Sequence, residues 1–410
     1  MMKKNSMKIL FITSSYTPKG NSAVIRHNAL VKGLIQNGCD VDVYTVKWPE
    51  ENRSNFFLKE NNGNIHYSEL SSLSNNVNLK KKINQKNNKF INIIKNFIKS
   101  IVYYPDACFQ WKSAIKVENP SQYDFMISSS FTNSSHFVAN EIKKLNPSLF
   151  WIQVWGDPWY YDDLITPWYL KPFVFFDENK LLKSANTIVY VSKVTADLMK
   201  DKKKFIASKI NYIPRSYYSV VEKKLQPIVR NYSITYAGNI TSSTGRNILD
   251  FINAISFYNE TNEPAILVNI YSPVIDGIMK DQLLSKACVN INSGVDFDKI
   301  PDIYANSDAL LFISNKGGTS MIPGKFYDYL GTNLPIICLM ADINDNVSTF
   351  VKSFGDKCIV LENDTEKIID KLPNIKLAME KTYPIIKDYS PKVIAKRYID
   401  LFNENSLTRH

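Results

Sequence analysis

Several features are scarce in this 410-residue sequence, and each scarcity removes a class of function. No window approaches the roughly 20 consecutive apolar residues that a membrane-spanning helix needs. Lys3 and Lys4 precede an apolar run of only Ile9 to Ile12, which ends in Thr13-Ser14-Ser15. That run is too short for a secretory signal, so the sequence predicts a chain that stays in the cytoplasm. The five cysteines, Cys39, Cys108, Cys288, Cys338 and Cys358, have no paired spacing. This argues against a disulfide framework and a zinc site and predicts reduced core thiols. There are only four histidines, and His136, like most lone histidines, has packing or capping as its ordinary reading.

Acidic charge is also in deficit, leaving a formal net charge of +11 and predicting an anionic partner. Seven lysines (80, 81, 82, 86, 89, 95 and 99) stand between Lys80 and Tyr104 with no acid among them. Phe90, Ile91, Ile94, Phe97, Ile98 and Ile101 recur through them at helical spacing. A basic amphipathic helix of this kind suits an anionic membrane surface, contacted through Lys80–Lys99. The same pattern also fits a helix packed on its own domain with solvated lysines. No nucleic-acid motif accompanies the charge, so nucleic acid is not an expected partner.

Hydrophobic residues make up 44% and charged residues 22%, the balance of a folded chain. The length favours two domains. Lys8–Thr13 reads as a strand, Ser14–Asn21 as a loop, Ala23–Asn37 as a helix and Asp40–Val46 as a second strand. Such a β-α-β unit implies a parallel sheet whose ligand crevice lies at the carboxyl ends of its strands. The rhythm continues with strand Phe125–Ile127, helix Ser135–Leu145, strand Phe150–Trp155, helix Glu178–Ser184 and strand Thr187–Val191. A second series runs from strand Tyr232–Ala237 through helix Asn247–Phe257 and strand Ala265–Ile270. It ends with strand Ala309–Ile313, helix Gly324–Leu330 and strand Pro335–Leu339. Two Rossmann-like halves follow from this alternation, joined between Lys200 and Asn231.

The densest chemical signal is Ser314-Asn-Lys-Gly-Gly-Thr-Ser-Met-Ile-Pro-Gly-Lys-Phe-Tyr-Asp-Tyr-Leu330. It leaves a strand, crosses a glycine-rich loop and opens a helix at Pro323. A helix N-terminus with free amides and a lysine one turn in suits a diphosphate. The bland alternative is a surface Lys325–Asp328 pair at i,i+3, worth a few tenths of a kcal/mol.

This passage resembles the nucleotide-sugar motif of glycosyltransferase family 4, in the variant patterned P-x-K-x-Y-E-Y-L. Pro323, Lys325, Asp328, Tyr329 and Leu330 carry the likeness. The family's first glutamate is replaced by Ser320, and Asp328 stands in the place of the second, which grips the ribose. Tyr236-Ala-Gly-Asn-Ile240 with Arg246 resembles the opening of the donor domain, whose basic residue contacts the diphosphate. Ile213-Pro-Arg-Ser216 is similar to the hinge-side I-P-N-G segment. Val289 to Gly294, then Ile300 to Tyr304 with Ser307-Asp308, resembles the segment beside the base. Pro18 to Asn21 with Arg26 resembles the first loop and its helix-borne arginine. Ser128 to His136 and Trp151 to Trp159 resemble the acceptor-side strands, including a D-P-W variant.

The resemblance implies an α/β chain of GT-B fold: two Rossmann-like domains facing across a cleft, with a C-terminal helix crossing back to the N-terminal domain. The expected boundaries are an acceptor domain at 1–205, with a basic insertion at about 52–104, a nucleotide-sugar domain at 206–388, and a crossing helix and tail at 389–410. It further implies a retaining glycosyltransferase of hexosyltransferase type that takes its sugar from a UDP- or GDP-sugar, and the basic helix adds the expectation of a lipid-linked surface glycan as acceptor and a peripheral place on the inner face of the membrane. The nucleotide-sugar is a substrate, and neither cofactor nor metal is expected. Asp157, Arg246 and Lys325 are the candidate catalytic residues. Gly20, Asn21, Gly238, Arg246, Ser320, Lys325 and Asp328 are candidates for the donor side, and His136 and Trp159 for the acceptor side. Two alternatives stand beside this reading: a GT-B sugar-nucleotide epimerase and a non-catalytic GT-B subunit.

Overall fold

The computed structural model describes residues 6–20, 22–54, 56–57, 64–70, 97–161, 166–224, 230–241, 246–315 and 322–407. The chain divides into two compact units. Unit 1 is Met1–Ser216 together with Pro391–His410, and unit 2 is Tyr217–Ser390.

Unit 1 is built on seven parallel strands: β1 Lys8–Ile12, β2 Asp40–Val46, β3 Asn64–Ser68, β4 Phe125–Ser129, β5 Phe150–Trp155, β6 Thr187–Tyr190 and β7 Ile210–Tyr212. Their spatial order is β3-β2-β1-β4-β5-β6-β7. A sheet covered on both faces needs apolar residues in both directions of the pleat, so its central strands read as continuous hydrophobic runs. In β1, Ile9 and Phe11 join the core on one face while Leu10 and Ile12 join the core on the other. The first face is covered by α1 (Ser22–Gln36) through Leu30, Val31 and Leu34, and by the C-terminal helix Pro391–Leu407 through Ile394, Ala395 and Tyr398. The second face is covered by α2 (Ser134–Leu145), α3 (Lys171–Ser184) and α4 (Lys193–Lys202), which supply Val138, Leu181 and Met199. Close packing against the C-terminal helix explains Gly33, where an added Cβ would strike the Pro391 carbonyl and Ala395 Cβ. Asn37 Nδ2 donates to the Lys392 carbonyl at 2.8 Å across the same seam.

Unit 2 repeats the plan with six parallel strands: β8 Tyr232–Ala237, β9 Ile266–Ser272, β10 Val289–Ser293, β11 Ala309–Ile313, β12 Ile336–Met340 and β13 Cys358–Glu362. They are ordered β10-β9-β8-β11-β12-β13. Helix α5 (Leu249–Asn259) buries Phe251, Ile252 and Ile255 in one core, and α6 (Gly324–Leu330) buries Phe326, Tyr329 and Leu330 in the other.

The structure adds elements that the apolar pattern did not announce. β3 lies within the segment read as an insertion, and its Asn-Ile-His-Tyr-Ser sequence is mostly exposed along the sheet edge. Helix α3 begins at Lys171 rather than Glu178, because its first turns carry aromatics on both faces. All five cysteines are free thiols, four of them buried. Among the described residues, no helix is long and apolar enough to cross a membrane. Most of the basic run Lys80–Lys99 lies outside the described residues, which resume with a helical stretch at 97–102.

Candidate functional site

In both sheets the strand order reverses once, between β1 and β4 in unit 1 and between β8 and β11 in unit 2. At such a point the chain leaves two neighbouring strands in opposite directions, which opens a crevice at their carboxyl ends. Of the sequence-predicted residues, Gly20 stands after β1, and Gly238, Arg246, Lys325 and Asp328 stand around the ends of β8 and β11.

In unit 2, Gly238 directly follows β8 and Arg246 stands before α5. Lys325 is the second residue of α6, which the chain reaches after β11. The Lys325 side chain lies across Gly238 so closely that a Cβ there would collide with its Nζ. Glycine leaves the lysine this course. The ammonium sits 5.1 Å from the centroid of the Tyr236 ring, a cation–π distance. Arg246 is held from three sides. Its Nε donates to Asn315 Oδ1 at 2.9 Å, and one Nη donates to the Asn239 carbonyl at 3.3 Å and to Tyr236 Oη at 3.5 Å. Tyr236 Oη itself donates to the Asn239 carbonyl at 2.9 Å. Burial, with Arg246 adding repulsion and Asp328 opposing, pushes the Lys325 ammonium down to about pKa 7. Gly238, Arg246, Lys325 and Asp328 therefore form one group, in which two cations crowd together beside one carboxylate. Ser320 lies outside the described residues, as does most of the glycine-rich loop before α6.

In unit 1, the loop after β1 and the segment after β4 are stitched together. Ser14 Oγ pairs with Thr132 Oγ1 at 2.8 Å, and Ser14 N donates to Ser135 Oγ at 3.1 Å. Gly20 adopts φ +68°, a left-handed conformation that suits glycine, whereas Asn21 lies outside the described residues. Arg26 on α1 donates to the Ser130 carbonyl. It passes so near Gly156 that a Cβ there would stand 2.8 Å from one Nη. Burial and the neighbouring Arg215 lower the Arg26 pKa to about 10, while Asp157 and Tyr398 act in the opposite direction. Arg215 Nη1 donates to Ser22 Oγ at 2.7 Å. Arg26, Ser129, Arg215, Ser216 and Tyr398 line a common pocket. The half-buried Asp157 is thus electrostatically tied to Arg26, two residues beyond the end of β5.

The other acceptor-side residues are placed differently. His136 is fully buried, its ring 4.1 Å from that of Trp155 and its Nδ1 2.8 Å from Ser128 Oγ. Burial first, then Arg26 and His27, lower its pKa to about 3, so it remains neutral at ordinary pH. His27 behaves alike, also falling to about 3, with burial the largest cause. Trp159 is nearly buried, stacked at 5.9 Å on Tyr104. Its backbone amide and that of Tyr160 donate to Glu178 Oε1 at 2.9 and 3.1 Å. Glu178 in turn pairs with Lys203 at 3.0 Å, both side chains being almost fully buried. This buried pair fixes the turn that carries Asp157. Arg215, Glu178 and Lys203 are the residues that sequence reading did not assign to the site. The replacement of Asn by Arg215 in the I-P-x-x segment was the one available signal.

Neither a protein-family model nor a curated protein sequence matches the chain. Solved structures do match. TarM aligns with a TM-score of 0.59 at 10% identity, over 98% of this chain and 100% of that one. A UDP-N-acetylglucosamine 2-epimerase from Listeria monocytogenes, so named provisionally, aligns with a TM-score of 0.55 at 11% identity, over 98% and 96%. The lipopolysaccharide outer core galactosyltransferase WaaB aligns with a TM-score of 0.52 at 13% identity, over 97% and 100%. At such identities the likeness shows the fold: two Rossmann-like domains of the GT-B class.

Proposed function

We propose that the chain is a glycosyltransferase that takes its sugar from a UDP- or GDP-sugar and transfers it with retention to a lipid-linked surface glycan. The reading is carried by the Arg246–Lys325 pair at the switch point of unit 2. Two crowded cations of which one is close to losing its proton form an incomplete electrostatic group, and a diphosphate completes it. As the glycosidic bond breaks, negative charge grows on the leaving diphosphate, and fixed cations stabilise that charge most. In a front-face course the leaving phosphate takes the acceptor hydroxyl proton. Asp328 on α6 accepts from the ribose hydroxyls. Gly238 leaves room for Lys325, and Ser320 replaces a carboxylate on the sugar side. In unit 1, Asp157 and Arg26 orient the acceptor and Trp159 supports the turn, while Gly20 and Asn21 belong to the donor side. The nucleotide-sugar is a substrate, and this account calls on no cofactor and no metal.

The fold likeness to WaaB and to the Listeria protein supports a sugar-nucleotide ligand. An epimerase needs acid and base groups that exchange protons, and the buried, neutral His27 and His136 are poor ones. The test is a thermal-shift panel of nucleoside diphosphates and sugar nucleotides, since a ligand that binds the folded state raises its melting temperature. A nucleoside diphosphate should raise it in the parent. Lys325→Met and Arg246→Met should each weaken binding roughly 10- to 100-fold, the worth of a charge-assisted contact. A parent indifferent to every nucleotide would end this reading. Donor hydrolysis without acceptor separates an active enzyme from a non-catalytic subunit.

A further inference from the structure

Among the described residues, twenty large apolar side chains are exposed, and eight of them fall in just two short segments, 97–102 and 168–176. These segments are neighbours. The rings of Phe97 and Tyr169 lie 4.7 Å apart, Ser100 Oγ and Tyr169 Oη are 2.8 Å apart, and Tyr104 Oη donates to Asp177 Oδ2 at 2.8 Å. Ile98, Ile101 and Val102 thus stand half in solvent beside Phe173 (63% exposed), Phe176 (71%) and Trp168 (82%). Helix α3 buries Val174 and Leu181 on its inner face and presents Phe173 and Phe176 outward. It is apolar on both sides where a surface helix is ordinarily polar on one. A concentration of this size marks an interaction surface.

We propose that this face of unit 1 seats on an anionic lipid surface, with Trp168, Phe173, Phe176 and Ile98 entering the headgroup boundary. Three observations select a lipid surface over a protein. The residue type is that of interfacial anchoring, with an indole and phenyl rings flanked by lysines, here Lys99 and Lys171. The sequence that runs into residue 97 carries six lysines and no acid from Lys80 onward, the complement of an anionic leaflet. The net charge of +11 opposes self-association, since a two-fold contact would bring two like-charged chains together. With no described helix able to span a bilayer, the chain lies on the surface.

The test uses the full chain with phosphatidylcholine vesicles, with and without phosphatidylglycerol. The parent should co-sediment with the phosphatidylglycerol vesicles, and added salt should release it. The triple variant Trp168→Ser, Phe173→Ser, Phe176→Ser should partition about tenfold less or weaker still, with its nucleoside-diphosphate thermal shift retained. That shift keeps this result distinguishable from the proposed function. Vesicles with brominated acyl chains should quench part of the parent's tryptophan emission, and Trp168→Phe should remove that part while leaving binding in place. Undiminished binding of the triple variant, no quenching through Trp168, or a parent that dimerises through this face without binding vesicles would each overturn the proposal.

Discussion

At the scale of single residues, Lys325 has the most to report about function. Its pKa of about 7 lies below the usual lysine value because burial and Arg246 disfavour the charged form. A bound diphosphate favours that form and raises the pKa, so above pH 7 binding must take up a proton. Nucleoside-diphosphate affinity should therefore fall as pH rises from 7 to 9, by up to about tenfold per unit. Lys325→Met should remove this dependence. Titration calorimetry at pH 7 and 9 checks it, and a parent with a flat profile sinks the assignment. The neighbourhood of Gly238, Arg246, Lys325 and Asp328 was legible in the sequence, since short stretches around a strand end and a helix start carry all four. The Arg26–Asp157–Arg215 cluster was not. Its members stand on three separate segments that only strand order brings together, and no local spacing encodes that. His136 lies beside the site in sequence but inside the core in space, because α2 turns that face toward Trp155.

At the scale of elements, apolar runs such as Lys-Ile-Leu-Phe-Ile and Ala-Leu-Leu-Phe-Ile located the central strands within a residue or two. A strand buried on both faces needs such a run. The edge strands escaped for the same reason. β3 and β10 have partners on one side only, and their exposed polar positions leave little pattern to read. Packing of α1 against the C-terminal helix makes a sharper claim. Gly33→Ala places a methyl against the Pro391 carbonyl and Ala395, and such overpacking costs about 1–3 kcal/mol. Urea unfolding should show that loss, whereas Gly277→Ala, where an added Cβ meets nothing within 4 Å, should not show it.

At the scale of the whole molecule, the two units differ in how the chain supplies them. Unit 2 is one continuous stretch with its own cores, whereas unit 1 is made of two pieces. A fragment spanning 217–390 should fold and keep the nucleoside-diphosphate thermal shift. A fragment ending at Ser216 should be unstable, because the apolar face of α1 loses Ile394, Ala395 and Tyr398. Adding the 391–410 peptide should restore it. Circular dichroism melts of the three preparations decide the matter, and a cooperative melt of 1–216 alone would refute the claim.

That division also sets a timetable. A ribosome adding residues at about 5–20 per second needs roughly 10–35 s to pass through unit 2 after Ser216 is made. For that interval the first-born half waits with an uncovered apolar flank, at the mercy of collisions and chaperones. The helix Pro391–Leu407 is made only after unit 2, so a premature stop anywhere in unit 2 leaves the N-terminal half unfinished as well.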